Sequence, residues 1–194
     1  MKKILNTLGE LIYLNLLFLF TSIPLITIGT AAAASYEIID LIDRDFEMNI
    51  LTRYFEKFKK NLKKTIGINI AVTILFFMFL IICRFLYLQE GAAGKVIFYL
   101  FISSALLIYI TLVYYYYLVS GHKDKTNVEI IKYSLYLGIK NIGLSLLMAA
   151  FHFVLIGSTL FFSKYSFIIW EFFIIIGFSL IFYVNYKIFH KIKY

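Results

Sequence analysis

The chain of 194 residues is 62% hydrophobic and only 15% charged, a composition that excludes an ordinary soluble domain. Its formal charge of +8 does not indicate nucleic-acid binding, because the cations collect in short segments that flank apolar runs, as they do in membrane proteins. The single cysteine, Cys83, excludes an internal disulfide and a cysteine cluster for a metal. We therefore predict one integral membrane domain over residues 1–194.

The first apolar run, Leu11–Ala34, contains the only proline of the chain, Pro24. Proline lacks an amide hydrogen and its ring crowds the preceding turn, so a helix must kink or end there. Gly29 follows, and hydroxyl side chains near the break can satisfy backbone groups that it frees in hydrocarbon. The interpretation we favour is one kinked span, which gives five spans and an N-terminus outside the cell. The alternative is a helix over about residues 5–22, a break, and a second helix from about residue 30. If the two form a re-entrant hairpin, the N-terminus lies inside.

Two properties of this run argue against a cleaved signal peptide. It is longer than the usual apolar region of a signal, and it contains the proline break. We therefore expect it to remain part of the membrane domain.

Four further apolar runs are long enough to cross a membrane: Ile66–Phe85, Val96–Ser120, Ile142–Phe162 and Phe167–Tyr186. Two other segments, Asp40–Lys64 and Gly121–Asn141, have apolar side chains at helical spacing and lysines on another face. This pattern is typical of a helix that lies in the headgroup plane or packs on its own protein. Lysine and arginine are concentrated in these two amphipathic segments and in the tail Lys187–Tyr194. The positive-inside rule therefore places both segments and the C-terminus in the cytoplasm.

A short sequence pattern occurs twice. Lys60–Ile66 and Lys140–Leu146 both read Lys-Asn-apolar-x-x-hydroxyl-apolar, at the point where an amphipathic segment meets a span. The pattern suggests a parallel internal repeat of residues 46–120 and 127–194, as found in some transporters, with each asparagine capping a span. A chance match under similar membrane constraints is the alternative.

Polar residues inside apolar segments are functional candidates, because polar and charged groups are costly in lipid. Around the break, polar side chains and the broken helix ends could form a site for a cation or a polar substrate. His152 could relay protons or contact a ligand, or be a neutral imidazole hydrogen-bonded between helices. The candidate polar intramembrane site comprises Glu10, Asn15, Pro24, Gly29, Glu37 and His152. Asn69 and Asn185 are predicted to lie at similar depth near the cytoplasmic side.

The sequence contains no nucleophile motif, no phosphate-binding loop and no His, Cys and Glu spacing for a metal. We therefore expect a protein that is not an enzyme and has no cofactor. The expected partners are the lipid bilayer and another membrane protein complex.

The first third of the chain carries several short matches to a known pattern: Gly9–Ile12, Leu14–Leu17, Ser22–Gly29, Ala33–Tyr36 and Tyr54–Asn61. Together with Asn185, Tyr186 and Phe189 near the end, these residues resemble the YesL-like family of bacterial membrane proteins. The resemblance implies a small multi-span protein of the bacterial cell membrane, with a suspected accessory part in carbohydrate uptake and no assigned catalytic residues. This chain departs from the pattern at Phe18, often Trp, and at Thr30, often Pro.

Together these observations predict an all-α polytopic membrane helical bundle. It has about five transmembrane helices, a proline-broken first segment and two cytoplasmic amphipathic helices. The function expected first is that of an accessory or regulatory subunit of another membrane complex. The alternative is a small-solute transporter or permease-like protein that uses the broken first helix.

Overall fold

The computed structural model describes residues 2–44, 49–88, 91–121, 124–161 and 170–192. These residues form seven helices: α1 (Lys2–Thr21), α2 (Ile28–Asp43), α3 (Ile50–Tyr87), α4 (Ala92–Gly121), α5 (Asn127–Lys140), α6 (Ile142–Phe161) and α7 (Trp170–Lys191). No strand occurs within the described ranges, so the predicted all-α class is confirmed. The boundary between the last two predicted spans falls on residues 162–169, outside the described residues.

Several helices are long and apolar enough to cross a membrane. By length and composition these are α2 with the turn before it, α3, α4 and α7, and the bent pair α5–α6 raises the number to five if the pair counts as one span. The predicted helical membrane bundle is therefore confirmed, with four to five candidate spans where about five were predicted; the apolar part of α1, Leu5–Thr21, is shorter than these candidates.

The proline break separates two helices that fold back on each other. Helix α1 ends at Thr21, a 3₁₀ turn covers Leu25–Thr27, and α2 begins at Ile28. Phe18 of α1 clusters with Ala31 and Ala32 of α2, which is impossible in a gently kinked span because 13 residues of helix would separate them by about 20 Å. The favoured prediction of one kinked span is therefore wrong, and the alternative of two helices is confirmed.

The turn of this α1–α2 hairpin satisfies its own backbone. The hydroxyl of Thr27 donates to the carbonyl oxygens of Thr21, at 2.6 Å, and Pro24, at 2.7 Å. The amide of Thr27 also donates to the carbonyl of Pro24. These bonds stabilise a tight reversal among exposed apolar side chains such as Ile23 and Leu25, where no water would be available in a bilayer.

The hairpin is much shorter than its neighbour α3. At the start of α2, the hydroxyl of Thr30 lies 2.7 Å from that of Thr65 and accepts a hydrogen bond from Asn69. Helix α3 then continues from Asn69 to Tyr87, about 27 Å at 1.5 Å per residue. The turn of the hairpin, only three to eight residues before Thr30, therefore ends well short of the far end of α3.

Helix α2 lies at the centre of the bundle and contacts α1, α3, α4 and α7. After Ile28, its first half consists of small residues, and every residue from Gly29 to Tyr36 is buried. A Cβ atom on Gly29 would lie 2.1 Å from the ring of Tyr116 on α4. Small side chains therefore allow the neighbouring helices to approach the α2 backbone closely.

The predicted surface helix Asp40–Lys64 is not a separate element. Residues up to Asp43 belong to α2, and α3 runs without interruption from Ile50 into the apolar span. Tyr54 is fully buried, and its hydroxyl lies 2.7 Å from that of Thr21. The aromatic face of this segment therefore packs on the protein itself, and only the second predicted amphipathic segment forms its own helix, α5.

The two Lys-Asn pairs adopt different structures. Asn61 lies inside the continuous helix α3, so the prediction that it caps a span is wrong. Asn141 separates α5 from α6, which meet at 95°, and its carbonyl accepts the amide of Ser145 in the first turn of α6. The internal repeat stays a prediction.

Candidate functional site

The candidate residues are spread over the bundle rather than gathered in one site. Asn15 is on α1 against α7, Glu37 is on α2 against α3, and His152 is on α6 between α4 and α7. Pro24 lies in the exposed turn of the hairpin, and Glu10 is half-buried on α1, five residues before Asn15.

Asn15 binds backbone groups of a π-helical turn. Residues Phe173–Gly177 of α7 are π-helical, and such a turn disturbs the regular hydrogen-bond ladder of the helix. The fully buried amide of Asn15 donates to the carbonyls of Phe173 (2.9 Å) and Ile174 (2.7 Å), and its oxygen accepts the amide of Ser179 (3.0 Å). Asn15 therefore joins α1 to α7 by pairing polar backbone groups that would otherwise face apolar side chains.

Glu37 joins α2 to α3. One carboxylate oxygen lies 3.0 Å from the ammonium group of Lys57, and the other accepts the side-chain amide of Asn61 at 2.9 Å. The Glu37 and Lys57 side chains are only 12% and 22% exposed, so solvent screens this pair less than a surface ion pair.

A cluster that sequence reasoning did not assemble lies one to two turns farther along α3. It consists of Thr30, Thr65, Asn69 and Tyr116, which we call the threonine cluster. The Asn69 side-chain amide group donates to Thr30 at 2.9 Å, and its oxygen accepts the Tyr116 hydroxyl at 2.8 Å. The i, i+4 spacing of Thr65 and Asn69 in an apolar run was the available signal, but nothing local identified Thr30 and Tyr116 as partners.

His152 bridges three other helices through a hydrogen-bond chain. Its Nδ1 contacts the hydroxyl of Tyr109 on α4, and its Nε2 lies 3.2 Å from the side-chain nitrogen of Asn185 on α7. The side-chain nitrogen of Asn185 also donates to the hydroxyl of Tyr36 on α2 at 3.1 Å. Asn185 therefore joins the histidine chain while Asn69 joins the threonine cluster, so the two asparagines do not meet.

One buried atom of the hydrogen-bond chain around His152 lacks a partner among the described residues. The side-chain oxygen of Asn185 has no hydrogen bond among the described residues. The recess beside His152, bounded by residues such as Ser145 and Met148, is too small to hold a water molecule.

Acidic residues at the end of α2 bind the end of α7. The hydroxyl of Tyr186 donates to Asp40 at 2.8 Å, and Lys187 forms an ion pair with Asp43. Arg44 also pairs with Asp40 at 3.0 Å. Within the described ranges, no three His, Cys, Asp or Glu side chains are grouped so that they could hold a metal ion.

The fold and these contacts define a polytopic helical membrane protein whose candidate polar side chains connect its helices. Residues 11–89 match a family model described as "Protein of unknown function, DUF624". The matched region comprises most of α1, the hairpin turn, α2 and α3, so it includes Asn15 and Glu37 but not His152 or α7. Neither a curated protein nor a solved structure matches the chain.

Proposed function

We propose that this protein is an accessory or regulatory subunit that binds another membrane protein complex and has no enzymatic activity of its own. The observation that carries the proposal is the engagement of the candidate site residues by neighbouring helices. Asn15 and Glu37 each join two helices, and His152 directly joins α6 to α4 and α7. Side chains that are committed to interhelical bonds are poorly placed to bind and release a solute.

The surface available for such a partner is large and apolar. The most apolar 18-residue stretch of α3 is only 6% buried, and the corresponding stretch of α4 is also 6% buried. Beyond the hairpin, Ile81 on α3 is 70% exposed and Tyr99 on α4 is 68% exposed. A helix of a partner subunit could pack here by van der Waals contact, as helices do in membranes.

The resemblance to YesL-like proteins suggests which complex to test first. It favours a carbohydrate importer in the bacterial cell membrane. The excess of lysine and arginine in the segments described above favours a cytoplasmic C-terminus.

Co-purification in a mild detergent followed by mass spectrometry tests this proposal. A stoichiometric membrane partner is expected, and a photoreactive amino acid at Ile81 should form an adduct with it in native membranes. Val154 on α6, which is 69% exposed, provides a control position of equal exposure on another helix. A protein that purifies alone and forms only lipid adducts at Ile81 would contradict the proposal.

One observation favours the second candidate, a small-solute transporter. The broken hairpin meets the π-helical turn of α7 at Asn15, and π-helical turns are frequent at functional sites. Reconstituted vesicles should then show solute flux that Asn15→Ala alters more than Leu16→Ala, a change at an exposed neighbour. The absence of flux under any imposed gradient would count against this candidate.

A further inference from the structure

Helix α5 lies nearly at right angles to the span that follows it. The angle between α5 and α6 is 95°, and the 20 residues of α6 are mostly apolar and include no Asp, Glu, Lys or Arg. If α6 crosses the membrane, α5 must run along the membrane plane. Its contacts also place it at one level of the bundle, because Asn127 donates to the carbonyl of Lys64 at 2.7 Å and Gly138 packs against Ile110.

The level of α5 divides α3 and α4 and marks the start of α6, and the stretches of these three helices on its far side have similar lengths. Beyond it lie residues 65–87 of α3, residues 92–113 of α4 and residues 142–161 of α6. Each stretch is about 20 residues, the length that crosses 30 Å of hydrocarbon. If these stretches cross the membrane, the level of α5 coincides with one boundary of the hydrocarbon core.

The exposed surface of α5 has two edges of different character. At about 100° per residue, three apolar residues fall within about 40° of one another, and they form the apolar edge: Val128, Leu135 and Ile139. They are 61%, 37% and 54% exposed. The buried face is formed by other residues, such as Ile130 and Leu137.

Lysines lie beside this edge on the exposed surface, and we call them the lysine edge: Lys125, Lys132 and Lys140. The ammonium group of Lys125 lies over the ring of Tyr133, and that of Lys140 lies over the ring of Tyr136. None of the three forms an ion pair with another described residue. An exposed apolar strip bordered by lysines and tyrosines is the pattern of a helix in the headgroup layer.

We propose that α5 lies in the headgroup layer of one leaflet, where its lysine edge binds the phosphates of anionic phospholipids and its apolar edge contacts acyl chains. The capping box of Thr126 and Glu129 at its first turn and the packing of Gly138 on α4 hold the helix in this plane. The proposal does not depend on the accessory function, because it concerns lipid rather than a protein partner.

Nitroxide labels at two adjacent positions test the depth of the apolar edge. The full-length protein with Cys83→Ala carries either Ile139→Cys or Lys140→Cys and is reconstituted into vesicles of phosphatidylcholine and phosphatidylglycerol. We expect the label at 139 to collide more with oxygen than with a water-soluble nickel complex, and the label at 140 to show the reverse. Equal exposure of both labels to nickel would overturn the proposal. A second result would also overturn it: the label at 139 is shielded from both reagents in native membranes but not in pure lipid. A protein partner would then cover the helix.

The lipid specificity has its own test, with a charge-matched control. Nanodiscs formed from the same two lipids should retain phosphatidylglycerol in excess around the protein. Replacing the lysine edge by glutamine should reduce this enrichment by about fivefold per lysine. The control replaces Arg53, Lys59 and Lys60 by glutamine, which removes the same charge from α3 instead of α5. Equal losses in both variants, or no enrichment in the unchanged protein, would overturn the proposal.

Discussion

Replacing Asn15 by alanine should weaken the attachment of α1 to α7. The substitution removes three hydrogen bonds and leaves the carbonyls of Phe173 and Ile174 and the amide of Ser179 without their side-chain partner. Hydrogen bonds between membrane helices contribute about 0.6 kcal/mol each on average, which sets a lower estimate of about 2 kcal/mol. Leaving one buried group unsatisfied costs about 1–3 kcal/mol more, which raises the expected loss to about 3–5 kcal/mol.

The chain contains a natural reporter for this measurement. Its only tryptophan, Trp170, lies three residues before the π-helical turn, so its fluorescence should follow separation of α7 during unfolding by sodium dodecyl sulfate. The control is Leu16→Ala, because Leu16 is 49% exposed on the same helix and should lose less than about 1 kcal/mol. If the two variants unfold at the same detergent fraction, Asn15 does not join the helices as argued here.

Three further predictions use the same unfolding assay or a labelling assay. Gly29→Ala should destabilise the protein by about 1–3 kcal/mol, because its added Cβ overlaps the ring of Tyr116. The control, Gly67→Ala, should not, because its added Cβ has no atom within 4 Å. Equal effects would contradict the close packing around Gly29. A double-mutant cycle of Glu37→Gln and Lys57→Met should give a coupling of about 1 kcal/mol or more, above the usual value for exposed pairs; no coupling would refute a stabilising pair. Asn6→Cys, in a variant without the native cysteine, should react with a membrane-impermeant thiol reagent from the side that carries α5; reaction only from the other side would refute the hairpin.

The position of the break could be predicted from sequence, but the direction of the chain after it could not. Pro24 ends a helix for a local reason, since it lacks an amide hydrogen and crowds the preceding turn. A kinked span and a hairpin both satisfy that local rule. The choice depends on which surfaces pack, and here Phe18 packs on Ala31 and Ala32, a contact that links residues far apart along the helices and leaves no local pattern.

The candidate residues could be selected from sequence, but their partners could not. Asn15 and His152 were identifiable because they are polar residues in apolar runs. The partners of Asn15 are backbone groups of a π-helical turn more than 150 residues away, and a carbonyl has no side-chain signature. The chain that holds His152 depends on Tyr109, one tyrosine among 16, so composition gave no means of choosing it.

The two Lys-Asn pairs show how neighbouring residues decide what a short motif becomes. Around Asn61 the sequence is Lys-Lys-Asn-Leu-Lys-Lys, rich in residues with high helix propensity, and Glu37 accepts the asparagine amide. Around Asn141, Gly138 and Gly143 lower that propensity, and the asparagine amide instead donates to the last turn of α5 at the carbonyl of Leu137. The same motif therefore lies within one continuous helix in α3 and marks the 95° bend between α5 and α6.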